Sequence, residues 1–174
     1  MCELQKTGEC AQLLSVVRFA EKHEVDRLAD IWYHGWLDAH AEIVPAELKR
    51  VRTFESFGDR METLLPTVRV VGPSGAPLGF HMVKDDELYQ LYVSAEARGK
   101  GVAAALIADA EERLAESGYK TAWLACAIGN DRAARFYEKS GWRRVGNMIN
   151  HLDTTEGPLD LEVWRYEKLL KPRP

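Results

Sequence analysis

The sequence predicts an α/β (α+β) fold, a mixed central sheet with helices on both faces. Three observations carry this reading. Segments with strand character alternate with segments of helical periodicity along the chain. The apolar strand Leu88–Val93 runs into the glycine-rich turn Arg98-Gly99-Lys100-Gly101, which opens a helix. That helix carries Val102, Leu106, Ala110 and Leu114 every fourth residue, an apolar stripe that needs a sheet to cover.

The elements follow in order. Residues 1–10 read as a loose tail. Leu13 to Phe19 reads as a short strand. His23 to about His40 reads as a helix, because Val25, Leu28, Ala29, Trp32 and Trp36 recur at helical spacing. Pro45, favoured in a first turn, opens a second helical stretch to about Leu65, which Pro66 ends. Thr67–Val71 is β-branched, Gly72-Pro73-Ser74-Gly75 is a turn, and Leu78–Val83 returns as a strand, so the pair predicts a hairpin. Asp85-Asp86 turns the chain into the strand Glu87–Val93. Gly118 stops the striped helix, and Thr121–Ala127 follows as a mostly buried strand. Asn130 or Asp131 caps the next helix, which ends at Gly141. Trp142–Ile149 and Leu159–Tyr166 are the final strands, joined by a polar loop containing Gly157-Pro158.

A chain of 174 residues corresponds to a single domain, 1–174, able to bury roughly two-thirds of its unfolded surface. The net charge of −4 gives no electrostatic case for nucleic acid or an anionic membrane, and it suits a cationic or amine substrate. No apolar run has the length of a membrane span, and Glu3, Lys6 and Glu9 rule against a secretory signal at the start. Cys2, Cys10 and Cys126 form neither an even framework nor a CxxC pair, so a cytoplasmic location is expected. The histidine spacings form no metal motif, and no metal is expected.

The glycine turn presents free backbone N–H groups and the positive end of a helix dipole to one point, which suits a phosphate or pyrophosphate. Arg98 and Lys100 add positive charge there. The dinucleotide fingerprint is not met, since Ala104 follows where its third glycine would fall, and the spacing of a P-loop is absent.

The turn resembles the pyrophosphate-binding motif of the GNAT superfamily of N-acetyltransferases, Gln/Arg-x-x-Gly-x-Gly/Ala, with Arg98, Gly101 and Ala103 at its three specified positions. A second segment, Asn130-Asp131-Arg132-Ala133-Ala134-Arg135-Phe136-Tyr137-Glu138-Lys139-Ser140-Gly141-Trp142, resembles the family's Asn…Ala…Phe-Tyr-Glu-Lys-x-Gly-Phe segment. The element order matches the GNAT fold over about residues 13–170. The resemblance implies an acetyl-CoA-dependent N-acetyltransferase acting directly on a primary amine of a small molecule or peptide. The alternatives are a CoA-binding sensor without turnover and a transferase for a longer acyl group. It implies that acetyl-CoA enters a gap between the fourth and fifth strands. Backbone groups of Leu91 and Val93 would pair with the pantetheine arm, and N–H groups of Gly99, Lys100, Gly101, Val102 and Ala103 would hold the pyrophosphate. Arg98 would touch phosphate or brace the turn. Asn130 would stand beside the pantetheine, cap its helix, or both. A homodimer is left open.

Tyr137 matches the family's tyrosine that protonates or hydrogen-bonds the leaving thiolate. No base is assigned. The position where some protein-N-terminus acetyltransferases carry glutamate holds Ala125, Glu87 begins the fourth strand as a solvated residue or a catalytic one, and His81 and His151 could titrate near neutrality. By the same resemblance, substrate recognition falls to Trp32, Tyr33, His34, Trp36, His40, Glu42, Tyr89 and the His151 loop. Trp32 and Trp36 are expected in the core, Asp38 and Glu42 could attract an ammonium group, and Cys126 reads as inert packing.

Overall fold

The structure is a computed structural model and describes residues 16–171. Seven strands form one sheet: β1 (Val17–Phe19), β2 (Val68–Val71), β3 (Gly79–Lys84), β4 (Glu87–Val93), β5 (Thr121–Ala127), β6 (Arg143–Thr154) and β7 (Gly157–Leu169). Their spatial order is β1-β2-β3-β4-β5-β7-β6. All neighbours are antiparallel except β4 and β5, which run parallel. The helices are α1 (Val25–His40), α2 (Ala46–Val51), α3 (Phe54–Leu64), α4 (Val102–Glu116) and α5 (Asp131–Lys139).

The predicted mixed sheet with helices on both faces is what the chain forms. On one face Leu28, Trp32 and Trp36 of α1 and Phe57 and Met61 of α3 bury themselves against Val68, Val70, Phe80 and Met82. On the other face the stripe of α4 packs against the sheet, all four residues at most 1% exposed. Burial of these apolar side chains at about 25 cal/mol per Å² is the main force holding helices to sheet. Gly35 lets α1 approach β4, since a Cβ there would stand 2.7 Å from Cδ1 of Tyr92.

Three expectations need correction. The helical stretch from Pro45 to Leu65 is two helices, because Arg52 leaves helical geometry and Thr53 starts a new one. Thr53 Oγ1 accepts the Ser56 N–H at 3.2 Å, an N-cap that the Thr-Phe-Glu-Ser sequence already contained. Pro66 lies inside a 3₁₀ turn, Leu65–Thr67, after α3 has ended. Gly157-Pro158 is not in the last loop but begins β7, and the tight turn is at residues 155–156. Both final strands run longer than the sequence suggests because β6 is half-exposed to exposed throughout and lacks the apolar alternation of a half-buried strand. Residues 1–10 and the first part of the Leu13–Phe19 strand lie outside the described residues; Val17–Phe19 is β1.

Two features of β4 prepare a site. A bulge falls where Met82 faces Gln90 and Val83 faces Leu88, leaving Tyr89 without a partner on β3. Tyr89 and Gln90 therefore both turn toward the α1–α3 side. On its other edge β4 meets β5 only at Glu87 and Trp123, beyond which the two strands part.

Candidate active site

The parting strands open two cavities that meet in the gap. The first, about 520 Å³, lies on the α4–α5 side and is lined by Leu91, Val93, Gly101, Cys126, Asn130 and Tyr137 among others. The second, about 610 Å³, lies on the opposite side, between α2, α3 and the β6–β7 hairpin. His40, Tyr89, Gln90, Tyr92, Ala125 and Ala127 border both.

The gap has an unpaired backbone edge. The Ser94 N–H bonds the Leu78 carbonyl at 2.8 Å, so Ser94 faces β3. By the alternation of an antiparallel ladder, Leu91 and Val93 turn their N–H and C=O groups the other way, into the gap. An extended, amide-bearing ligand could pair there as a strand would.

At the mouth of the first cavity, Gly99 and Gly101 hold φ of +75° and +81°, and Gly101 is the left-handed N-cap of α4. A Cβ built on either would meet nothing within 4 Å, so the space in front of the turn is open. Among the described residues, the N–H groups of Gly99, Gly101, Val102 and Ala103 have no backbone partner, while the Ala105 N–H bonds Gly101 O at 3.1 Å. The turn fits a pyrophosphate by this geometry. Lys100 is a correction, because its N–H is spent on the Ala97 carbonyl at 3.3 Å and it does not line the cavity.

Arg98 does not reach freely into the cavity. Its Nη2 lies 2.7 Å from Oδ2 of Asp38, which also receives Arg132 at 2.9 Å. Asp38 thus ties α1 to the turn and to α5, and the two arginines, Arg132 first, hold its carboxyl below the usual range. It is not a free ammonium attractor. Asn130 caps α5, accepting the Ala133 N–H at 3.3 Å, and lines the first cavity as well.

Tyr137 stands in the first cavity against Trp142 and Tyr166, with ring centroids 6.5 and 6.0 Å away. Among the described residues its hydroxyl has no hydrogen-bond partner. Burial raises its pKa far above the ordinary phenol range, so it stays protonated. Cys126 lines the same cavity, and burial pushes its thiol up to about 12, which leaves it unreactive as the sequence implied.

Glu87 is not fully solvated, and among the described residues it forms no ion pair. It is half-buried on the second cavity, and burial raises its carboxyl to about 7. His81 is excluded from the site. It is fully buried, its Nε2 lies 2.6 Å from Asp109 Oδ2, and burial lowers its pKa, so it is a neutral core residue. His151 is exposed and pairs with Asp160 at 2.6 Å on the rim of the second cavity. His40 stacks on Trp36, and its Nδ1 lies 3.0 Å from the Trp36 carbonyl.

Of the recognition residues the sequence offered, Trp32, Trp36, His40, Tyr89 and His151 border the second cavity. Tyr33, His34 and Glu42 do not. Tyr33 packs on Phe54 and Phe57, and His34 caps back onto Asp30. The sequence reading missed Arg52, Arg60, Gln90 and Tyr92, which also line it. Arg52 arrives there through the unforeseen helix break, and Gln90 through the bulge.

Comparison with known proteins agrees with the resemblance. The acetyltransferase (GNAT) family profile matches residues 25–142. Uncharacterized N-acetyltransferases of Mycobacterium bovis and Mycobacterium tuberculosis are 33% identical over 117 residues, 64% of this chain and 72% of theirs. A GCN5-related N-acetyltransferase structure from Rhodopseudomonas palustris superposes with a TM-score of 0.68 at 20% identity, over 90% of this chain and 96% of that one. The PaiA N-acetyltransferase of Thermoplasma acidophilum, solved in complex with coenzyme A, gives 0.58 at 18% identity, over 88% and 98%. The chain therefore belongs to the acetyltransferase (GNAT) family. It is an N-acetyltransferase, and acetyl-CoA is its cosubstrate. Among the described residues no helix is long and apolar enough to cross a membrane.

Proposed function

We propose that this enzyme transfers acetyl from acetyl-CoA directly to a primary amine of a small molecule or peptide, without an acyl-enzyme. The observation that carries this reading is the gap between β4 and β5. It joins a cavity with a pyrophosphate-sized donor turn to a second cavity holding a carboxyl poised near neutrality. Acetyl-CoA supplies an activated acyl thioester.

The chain's own residues supply position and proton traffic. Gly99, Gly101, Val102 and Ala103 offer N–H donors to the pyrophosphate, aided by the α4 dipole. Leu91 and Val93 offer the strand edge to the pantetheine arm, and Asn130 stands beside it. Tyr137 donates a hydrogen bond to the departing sulfur. A phenol held this far above a thiol's pKa of about 8.5 stabilises the thiolate by hydrogen bonding more than by full proton loss. Glu87 accepts the proton that an ammonium must lose before its nitrogen can attack.

The test is release of free thiol from acetyl-CoA across a panel of free amino acids, polyamines, aminoglycosides and peptide N-termini. Turnover with at least one amine supports the reading. Tight acetyl-CoA binding without thiol release would make the protein a sensor, and preference for bulkier thioesters would replace acetyl by a longer acyl group.

A further inference from the structure

Two guanidinium groups, those of Arg52 and Arg60, line the second cavity. Arg52, at the break between α2 and α3, is 7% exposed, and its Nη1 reaches only the backbone carbonyl of Asp153, at 3.3 Å. Arg60, on α3, lies over Trp32 with its Cζ 4.3 Å from the ring centroid, and its Nη2 donates to the Tyr89 hydroxyl at 3.2 Å. Among the described residues neither forms an ion pair. Arg18, Arg69, Arg98 and Arg132, by contrast, each hold a carboxylate.

This arrangement is costly for the protein alone. A guanidinium removed from water without an anion loses solvation that carbonyl and phenol acceptors only partly restore. The two cations also repel each other, and Arg52 is held down to about 10 by burial and then by Arg60. Asp59, Lys84, Glu87 and Asp153 line the same cavity. Asp59 and Asp153 are exposed at its rim, and Glu87 is half protonated near neutrality. The interior of the cavity therefore offers positive charge on fixed forks, suited to an oxyanion.

We propose that the amine acceptor also carries an oxyanion, a carboxylate or a phosphonate or phosphate, which Arg52 and Arg60 hold while its amino group lies toward Glu87. This rests on the acetyl-transfer reading and deepens it by naming the class of acceptor. Glu87 and Tyr89 share one face of β4, and Tyr89 positions Arg60, so the strand presents a proton acceptor and an anion holder to one small ligand. That pattern complements a zwitterion of amino-acid size.

The test uses matched acceptors: L-amino acids against their carboxamides and decarboxylated amines, and aminoalkylphosphonates against alkylamines. With wild type, kcat/KM for the better oxyanion-bearing members should exceed that of their neutral counterparts by at least about tenfold, the worth of one charge-assisted hydrogen bond. R52Q, R60Q and the double variant should lose that preference while acetyl-CoA affinity stays unchanged. Arg52→Lys and Arg60→Lys should keep part of it. A second readout needs no turnover: the same amino acids and phosphonates should raise Tm of wild type and not of the double variant.

The outcomes separate the two readings. Neutral amines acetylated equally well, or a preference that survives the double variant, would overturn the oxyanion subsite and leave acetyl transfer standing. Tm shifts that depend on both arginines, with no amine acetylated, would keep the subsite and overturn acetyl transfer. No preference and no arginine-dependent Tm shift would also overturn the subsite.

Discussion

Glu87 faces Trp123 in the one register pair that joins β4 to β5 among the described residues, and this pair is the hinge of the V in which the candidate site lies. The Trp123 N–H donates to the Asp86 carbonyl at 3.1 Å, and its indole Nε1 donates to Asp86 Oδ1 at 2.9 Å. Arg165 of β7 stacks over the indole at 4.5 Å. The strands are thus pinned at their start and free to separate toward their C-terminal ends. Ligands of open α/β sheets bind beyond the strand ends for the same topological reason.

Removing the indole donor should loosen the pin. Trp123→Phe keeps a ring under Arg165 and removes the Nε1–H bond together with part of the indole's contact area. A stability loss of at least about 1 kcal/mol is expected, the usual worth of one hydrogen bond, together with a raised KM for acetyl-CoA. Denaturant melts and steady-state kinetics check both, and an unchanged KM would show that the Asp86 bond does not set the width of the gap.

Gly101→Glu should abolish acetyl-CoA binding and leave the fold largely intact. The open space before Gly101 accepts a side chain without collision, so the damage falls on the ligand and not on the core. The φ of +81° adds strain of about 1 kcal/mol for a residue with a Cβ. Calorimetry on the folded variant decides the matter. Undiminished affinity would remove the pyrophosphate from this turn. Lys100→Ala should weaken binding much less, since it removes only a side chain while the donors of the turn are backbone N–H groups.

Tyr137→Phe should lower kcat on the order of ten- to a thousandfold with little change in acetyl-CoA affinity. The hydroxyl has no protein partner among the described residues, so its loss should cost little stability. Because the phenol stays protonated, the wild-type pH profile should show no falling limb from this group below about pH 10. A large drop in Tm with kcat unchanged would make the hydroxyl structural instead.

Stability should depend on Asp109, which joins β2 and β3 to α4. It accepts Arg69 Nη2 at 2.7 Å and Nε at 2.9 Å, and His81 Nε2 at 2.6 Å. Burial alone would raise its carboxyl, but the bonds from His81 and Arg69 outweigh burial and hold it at about 2. A carboxyl depressed below its unfolded value of about 3.9 stabilises the fold above that pH and loses the contribution as pH falls toward 2. His81 adds the same sign, since the unfolded imidazole takes a proton below about 6.5 that the buried one refuses. Asp109→Asn should therefore cost about 3 kcal/mol at pH 7 and progressively less toward pH 3. A gap between wild type and variant that stays constant over this range would contradict the linkage.

The sequence made one cavity legible and left the other largely unread. The α4 stripe, the glycine turn and the Asn130–Trp142 segment are local patterns, so their residues announce the donor turn and Tyr137 without any tertiary information. The acceptor cavity is assembled from distant pieces: Arg52 at a helix break, Arg60 on α3, Gln90 by a bulge, His151 on the final hairpin. Only the Thr53 cap signalled the break, and a continuous helix through Arg52 would have turned that side chain elsewhere. Nothing local marks a bulge at Tyr89, because it depends on pairing with β3. Glu87 at a strand start reads as solvated until the fold buries it.

That burial supports the last prediction. The Glu87 carboxyl is raised to about 7 by burial, with Lys84 and Arg165 pulling it down and Asp86 and Asp85 pushing it up. A base titrating there should give kcat/KM a rising limb with an inflection near pH 7, separate from the limb set by the amine's own ionisation. Two substrates of different amine pKa distinguish the limbs, since only the second should move with the substrate. Glu87→Gln should erase the inflection near pH 7 and lower kcat/KM by at least about tenfold at pH 8. The fold supplies an independent check on the same pKa. A carboxyl raised above its unfolded value of about 4.3 makes stability fall as pH rises from there through about 7, because the native state must give up a proton it holds more tightly than the unfolded chain. Glu87→Gln should therefore raise Tm relative to wild type at pH 8 and not at pH 4. If the variant keeps full activity and the inflection, deprotonation before attack is the substrate's own, and water rather than Glu87 carries the proton away.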